Sequence, residues 1–457
     1  MDNINIPLIQ KATKTISNSF PRINQDHYIE TSFQNNYFDR YYPINNWIVD
    51  KFIELRIPPS VNSFIDLNNL LLNFQLQVFK KTKIDSSTWS PNQPTVNGDH
   101  FDLCQATGVC LFKHVSITLN GTQITNDANY SYSSLLKVLL NFPIENINKV
   151  GRLYHIENYS TIIQALSNDI PFSGLSATDP VSIRLKKIRE NGLFLRAPIL
   201  GDVCSANMFL LDQISLHIRL AIHENSFILL TNQQEPNLSG TSPKKYSIKL
   251  SDIYLDVLKY RPTENALNAL NKTLLPNNDF VPTIDYMFIS KITKNYHLQN
   301  GINSYLCDTP FNNVIPERIY LTFLNYDAFN TRDYSINGQY YQHLSLTNIS
   351  ITINGNSIYN VNCDFKKGDV AELYNCLINC VDKHHMITFD NFIKGNTILA
   401  FNLANFDNSA DIRIAQYGVL RISLTFADKL ADSALLTIYG DIMSTMSINY
   451  KREVYLT

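Results

Sequence analysis

The most metal-like pattern in the chain is a run of six residues, Cys380–His385, that contains a cysteine, an aspartate and two histidines. Thiolate, carboxylate and imidazole groups are the side chains that bind zinc in proteins. In a strand, His384 and His385 would face opposite sides, so both could reach one metal only from a loop. Lys383 adds a positive charge that repels a cation. We therefore expect no metal site here.

The other cysteines form no recognisable ligand set either. Their number is odd and no Cys-x-x-Cys pair occurs, which argues against a disulfide framework or a zinc ribbon. Cys376 and Cys380 are four residues apart on a predicted helix, and we expect both to serve as small apolar core residues. The seven are Cys104, Cys110, Cys204, Cys307, Cys363, Cys376 and Cys380.

Sequence signatures of common enzymes are missing. There is no Gly-x-Gly-x-x-Gly or Walker loop, no Gly-x-Ser-x-Gly elbow and no His-Glu-x-x-His. His217, His223 and His297 stand alone in the sequence, and we expect ordinary core or surface roles for them. The chain is predicted to have no catalytic residues, no cofactor and no enzymatic activity.

Length and charge set further limits. A chain of 457 residues exceeds the usual size of a single hydrophobic core, so two or three domains are expected. With 38 basic and 40 acidic residues the formal charge is −2, which disfavours direct, extensive nucleic-acid binding. No apolar run is long enough to span a bilayer, and the N-terminus has no signal-peptide pattern. We expect a soluble protein made in the cytosol.

The chain contains the same strand and turn twice. Residues 114–124 and 348–358 are near copies in which apolar residues alternate with small hydroxyl residues, the pattern of a strand buried on one face. Each copy runs into Asn-Gly, which favours a tight type I′ hairpin because both residues accept positive φ. The two pairs begin at Asn120 and Asn354, 234 residues apart.

The repeat extends beyond the hairpin. Helical apolar spacing follows each hairpin, at Tyr130–Leu140 and at Val370–Leu377. Matching the Ile-Ser-Leu triplets at 214–216 and 422–424 gives an offset of 208, so the first half would carry about 26 extra residues before this strand. A recurring supersecondary unit indicates an internal duplication.

These patterns predict an all-β protein of two tandem jelly rolls, each with a short helix inserted after a β-hairpin. Turn residues separate the short strands, and few helices alternate with them. The expected organisation is an N-terminal arm over 1–27, a first jelly roll over 28–262, a connector helix and linker over 263–282, and a second jelly roll over 283–457. Thr263 is the predicted N-cap of the connector helix.

Eight short motifs stand in order along the chain: Tyr42–Ile44, Ile65–Asn69, Phe112–Gly121 and Tyr130–Tyr132 in the first half, and Pro316–Arg318, Asn325–Asn330, Phe401–Leu403 and Tyr417–Ala427 in the second. In their order and spacing they resemble the major capsid proteins of Polinton (Maverick) elements and adintoviruses. The chain departs from that family's pattern at Asn337–Tyr341, although His343 is retained.

The resemblance implies a virion shell protein whose two jelly rolls stand upright. Three chains would form a pseudo-hexagonal capsomer that contacts neighbouring capsomers and a minor single jelly-roll protein. Two alternatives remain at this stage. One is a tandem carbohydrate- or receptor-binding module with a site on aromatic loops such as that around Trp89. The other is a jelly-roll enzyme, which would require a bound metal.

Overall fold

The computed structural model describes ten segments of the chain: residues 32–81, 89–91, 101–141, 192–206, 208–231, 246–276, 281–327, 337–381, 385–404 and 416–456. The predicted N-terminal arm, residues 1–27, lies outside them. None of the helices in these segments is long and apolar enough to cross a membrane.

The first half of the chain forms two main antiparallel sheets. The larger has the order β1-β11-β3, with β8 and β4 paired along the other side of β3, and the second has the order β2-β9-β6-β7. A separate pair joins β5 to β10. The strands are β1 Phe33–Tyr41, β2 Phe52–Ile57, β3 Phe64–Lys81, β4 Trp89–Pro91, β5 Phe101–Leu103, β6 Phe112–Leu119, β7 Thr122–Asp127, β8 Leu193–Pro198, β9 Leu216–Ile222, β10 Leu229–Thr231 and β11 Tyr246–Pro262.

The second half repeats this arrangement. One sheet has the order β12-β21-β15-β18, with β22 on β21, the other has the order β13-β20-β16-β17, and β14 pairs with β19. The strands are β12 Thr283–Leu298, β13 Ser304–Asp308, β14 Val314–Ile315, β15 Arg318–Asn325, β16 Leu346–Ile353, β17 Asn356–Asn362, β18 Leu399–Asn402, β19 Gln416–Tyr417, β20 Leu420–Phe426, β21 Ala434–Asn449 and β22 Val454–Leu456.

Short helices connect the strands. The described residues contain α1 Trp47–Asp50, α2 Thr107–Cys110, α3 Tyr130–Asn141, α4 Asn225–Ile228, α5 Glu264–Thr273, α6 Ala371–Cys380 and α7 Phe389–Ile393, together with a 3-10 turn at Asp202–Ser205. The predicted helices after the two hairpins are confirmed as α3 and α6.

Both halves have jelly-roll topology. If the eight main strands of each half are counted along the chain, one sheet takes them in the order first, eighth, third, sixth, and the other in the order second, seventh, fourth, fifth. Apart from the fourth and fifth strands, which form the hairpin, strands adjacent in sequence alternate between sheets, which distinguishes a jelly roll from a simple meander. The predicted all-β double jelly roll is confirmed.

The two Asn-Gly hairpins have the predicted geometry. Asn120 and Asn354 have φ of 45° and 51°, and the glycines that follow have φ of 89° and 84°. Each asparagine also bonds to the start of a neighbouring strand: the Asn120 Oδ1 accepts from the Ser215 backbone N–H at 2.7 Å, and the Asn354 Oδ1 accepts from Val419 at 2.8 Å. The Asn120 side chain also donates through Nδ2 to the Arg452 carbonyl at 2.8 Å.

Three details of the prediction were wrong or incomplete. Ile117 pairs with Ile218, and Ile351 pairs with Ile422, so the offset between β9 and β20 is 204, not 208. The matched Ile-Ser-Leu triplets are not equivalent, because pairing with β6 and β16 sets the register. The first half thus carries about 30 extra residues, the difference between offsets of 234 and 204.

The connector helix is present as α5, but the Thr263 side chain forms no capping bond to it. Thr263 takes the extended N-cap backbone, and its own N–H donates to the Ser32 carbonyl instead. Strands β1 and β12 were not predicted. Both are edge strands whose apolar residues do not alternate cleanly with polar ones.

We expect the hairpin asparagines to respond differently to the same substitution. Asn120→Asp removes the donor to the Arg452 carbonyl and places a negative charge beside that oxygen, so it should lower the free energy of unfolding by about 1–3 kcal/mol. Asn354→Asp keeps the acceptor for Val419 and should change it by less than about 0.5 kcal/mol. Denaturant unfolding of both variants tests this, and equal effects would contradict the assigned role of Nδ2.

Candidate functional site

The run Cys380–His385 shows no metal site in the part of it that the structure describes. Cys380 lies at the end of α6, and burial raises the pKa of its thiol to about 12. The His385 Nδ1 accepts a hydrogen bond from the Ile387 N–H at 3.2 Å. Residues 382–384 lie outside the described segments, and within those segments no group of three or more His, Cys, Asp or Glu side chains is placed to hold a metal.

The isolated histidines lie in three unrelated places. His217 contacts Glu54 at 2.6 Å, His223 stacks on Phe227 with ring centroids 3.8 Å apart, and His297 packs on Tyr326 at 4.0 Å. Trp89 is part of β4. The histidines therefore share no constellation of the kind that a metal-dependent jelly-roll enzyme needs.

The most elaborate polar chemistry lies where the two halves meet, an interface that we call the seam. At its centre is Asp202, in the 3-10 turn of the first half. The Asp202 carboxylate accepts from the Lys137 Nζ at 2.8 Å, from the Lys291 backbone N–H at 3.1 Å and from the Ser290 Oγ at 3.3 Å. One buried carboxylate thus links α3 to edge strand β12 of the other half.

A second carboxylate continues the seam. Asp441 on β21 accepts from the Lys291 Nζ and from the Tyr320 hydroxyl, the latter at 3.1 Å. The Lys291 and Asp441 side chains are only 6% and 9% exposed. Burial raises the pKa of the Tyr320 hydroxyl well above its usual range, so this group stays a neutral donor.

A third link ties the C-terminal segment to the first half. The Arg452 guanidinium donates to Asp212 at 2.7 Å, and the two side chains are 8% and 1% exposed. The same nitrogen donates to the Asn271 amide oxygen of α5 at 3.3 Å. The Tyr286 hydroxyl donates to the Phe209 carbonyl at 3.1 Å.

Elsewhere in the seam, a loop of each half forms hydrogen bonds with a loop of the other. The Gln339 Oε1 accepts from the Gln105 N–H at 2.6 Å, and its Nε2 donates to the Gln105 carbonyl at 3.1 Å. The seam was not identified from the sequence, because its partners come from opposite halves of the chain. The one available signal was the presence of charged residues within strand patterns, as at Lys291 and Asp441.

The strand pair β1–β11 of the first half is the counterpart of β12–β21, which lies buried in the seam, but it is exposed. Arg40 on β1 pairs in register with Asp256 on β11, just as Lys291 on β12 pairs with Asp441 on β21. Both are ion pairs, yet the Arg40 side chain is 51% exposed. We call its surroundings the β1 face, which comprises Phe38, Arg40, Tyr42, Phe194, Arg196 and Tyr254.

Aromatic rings and arginines alternate across the β1 face. The Arg40 guanidinium lies over the Tyr254 ring, 3.9 Å from its centroid, and Arg196 lies 3.5 Å from Asp256. Phe38 and Phe194 are 52% and 50% exposed. Exposed aromatic and arginine side chains in one patch are the composition typical of protein–protein contact centres.

Solved structures of viral proteins share this fold. The match to a chain of the Sputnik virophage covers 98% of this chain and 93% of the virophage chain, at 13% identity and a TM-score of 0.62. The match to the Faustovirus major capsid protein covers 93% of this chain and 92% of the Faustovirus chain, at 11% identity and a TM-score of 0.55. The match to the mavirus major capsid protein covers 96% of this chain and 93% of the mavirus chain, at 10% identity and a TM-score of 0.53. No family model and no curated protein matches the chain. It has the double jelly-roll fold of these capsid proteins over nearly its whole length.

Removing the buried cation of the seam should be costly. Arg452→Met leaves Asp212 buried without its ion pair, and we expect a loss of about 3–5 kcal/mol in the free energy of unfolding. Arg421→Met is the matched control, because the pair that Arg421 forms with Asp308 is about half exposed. The control should lose less than about 1 kcal/mol in the same denaturant titration. Similar losses would show that Arg452 does not hold the halves together.

His223 should make the fold sensitive to acid. Burial, followed by the nearby Lys113, lowers the pKa of His223 from 6.5 to about 4. Because the unfolded chain then binds the proton more readily, stability is present above pH 6.5 and falls as the pH drops towards 4, by at most about 1.4 kcal/mol per pH unit. His223→Phe keeps the stacking on Phe227 and should flatten this part of the stability–pH curve. An unchanged slope would contradict the assignment.

Proposed function

We propose that this chain is a major capsid protein, a structural component of an icosahedral virion. The observation that carries the proposal is the match of the complete double jelly roll to capsid proteins at more than 90% coverage of both chains. The near-neutral charge supports a shell component over a nucleic-acid packaging protein. The protein would be made in the host cytoplasm and reside in the virion, without enzymatic activity.

The capsomer would be a homotrimer in which six jelly rolls form a pseudo-hexagonal ring. The β1 face supports this, because its equivalent in the second half, around Lys291 and Asp441, is the surface that packs on the first half. A neighbouring copy that docks in the same way would cover Phe38 and Arg40. Contacts of this kind are heterologous, so they continue from chain to chain until a ring closes.

The remaining assignments follow from the motif resemblance. We place the chain among the major capsid proteins of Polinton elements and adintoviruses, with a minor single jelly-roll protein as a further partner. Residues 1–27 would act as an arm, and 28–262 and 283–457 as the two domains, joined by 263–282. The sheet composition supports this division, since none of the main sheets formed by the described strands mixes strands from the two halves.

Assembly of the full-length chain tests the function. Purified protein should run as a trimer in size-exclusion chromatography with light scattering, and negative-stain images should show pseudo-hexagonal capsomers or shells. A protein that stays monomeric at every salt concentration and pH would overturn the capsid role. Binding of a glycan array by such a monomer would support the alternative, a tandem binding module.

The β1 face has its own test. Burying each exposed phenylalanine is worth about 1.5–3 kcal/mol, so Phe38→Asp with Phe194→Asp should weaken trimer formation at least about 100-fold. The double variant Val61→Asp with Leu306→Asp is the control, since both residues are exposed outside the β1 face. Trimers that survive the first double variant would exclude this face while leaving the capsid role intact.

A further inference from the structure

A cavity of about 240 Å³ lies within the seam, between α3 and the Asp202–Ser205 turn on one side and strands β12, β15 and β21 on the other. Part of its wall is apolar, and Ile289, which is 40% exposed, lies at its edge. The apolar wall consists of Leu136, Leu140, Ile199, Ile289 and Val381. The cavity therefore offers a hydrocarbon-like surface at the junction of the two halves.

The polar part of the lining carries more positive than negative charge. Lys137 is paired with Asp202, and Lys291 is paired with Asp441. Arg318 adds a third cation. Its cross-strand neighbour Asp441 already pairs with Lys291, and among the described residues no carboxylate lies within ion-pair distance of the Arg318 guanidinium. The cavity is thus lined by one half-buried cation more than the carboxylates can neutralise.

Comparison with the first half shows that the fold does not require this arginine. Across the sheet, Lys291, Asp441 and Arg318 occupy one row of paired positions. The equivalent row in the first half is Arg40, Asp256 and Leu71. The first two positions keep their charges in both halves, whereas the third is leucine in one and arginine in the other. Arg318 is therefore a feature of the second half, where it lines the cavity.

The size of the cavity limits what fits. A water molecule takes up about 30 Å³ of liquid volume, and a cavity of about 150 Å³ already holds a benzene ring. A volume of 240 Å³ accommodates about eight to ten non-hydrogen atoms. A ligand of that size with one negative end and one apolar end would match both walls.

We propose that this cavity binds a medium-chain monocarboxylate, with the carboxylate on Arg318 and the hydrocarbon chain against the wall formed by Leu136, Leu140 and Ile289. A carboxylate can accept two parallel hydrogen bonds from a guanidinium, which gives the strongest form of this ion pair. Because residues of both halves line the cavity, a bound ligand stabilises their present arrangement. The proposal does not depend on the capsid role.

Isothermal titration calorimetry of the full-length chain with octanoate tests the proposal. We expect one molecule per chain, with weak or no binding of octanol, which lacks the charge, and of acetate, which lacks the chain. Arg318→Gln should weaken octanoate binding at least about tenfold, the loss expected from 1.4 kcal/mol. Arg318→Lys keeps the charge but loses the two parallel hydrogen bonds, so its affinity should lie between those of wild type and Arg318→Gln. Ile289→Trp should block the cavity, and Arg421→Gln, at an exposed arginine, should leave binding unchanged.

Four results would overturn the proposal. If octanoate does not bind, the cavity is not a site for this class of ligand. If octanoate binds Arg318→Gln and wild type equally, Arg318 is not part of the site. If octanol binds as tightly as octanoate, the cavity binds apolar molecules without selecting for the carboxylate. Inorganic phosphate or acetate binding as tightly as octanoate would mean a plain anion site without a role for the apolar wall. Thermal unfolding without ligand shows whether each variant is folded.

Discussion

The carboxylate of Asp202 is the interaction on which the arrangement of the two halves most depends. It takes bonds from an α3 lysine, from a serine hydroxyl and from the backbone N–H of Lys291. Removing charges from water costs several kcal/mol per ion, so buried pairs fix geometry more than they add net stability. Two of the three groups that donate to the buried Asp202 carboxylate, the Ser290 hydroxyl and the Lys291 N–H, belong to β12, so these bonds form only when β12 packs in this position. The same reasoning applies to Arg452 and Asp212, which constrain the C-terminal segment.

The sequence was sufficient for the parts of the fold that local pattern determines. Alternating apolar residues located β6 and β16, Asn-Gly fixed their turns, and helical spacing located α3 and α6. Edge strands β1 and β12 were missed, because a strand that is open on one side or that packs on another domain need not alternate. The four-residue error in the register of β9 has a related cause, since register depends on strand partners distant in sequence.

The functional surfaces could not be predicted, for a physical reason. The bonds that cross the seam, such as those of Asp202 with β12 and of Arg452 with Asp212, join residues from opposite halves. No local pattern distinguishes Asp202 or Asp441 from an exposed aspartate. The equivalence of Arg40–Asp256 and Lys291–Asp441 became visible only when strand pairing showed both in register. The internal repeat indicated that the halves share a fold, but not which face of one packs on the other.

The seam has one further consequence for β1. A sheet edge exposes backbone groups that favour unwanted pairing with other chains, and proteins generally cover or disrupt such edges. At edge strand β12 the first half supplies this cover, with Asp202 accepting from the Lys291 N–H. Strand β1 holds the equivalent edge position, and its outward residues Phe38 and Arg40 are exposed in the single chain. Within the described residues one copy of this edge is covered and the other is open, which is the asymmetry that the proposed association with further copies would remove.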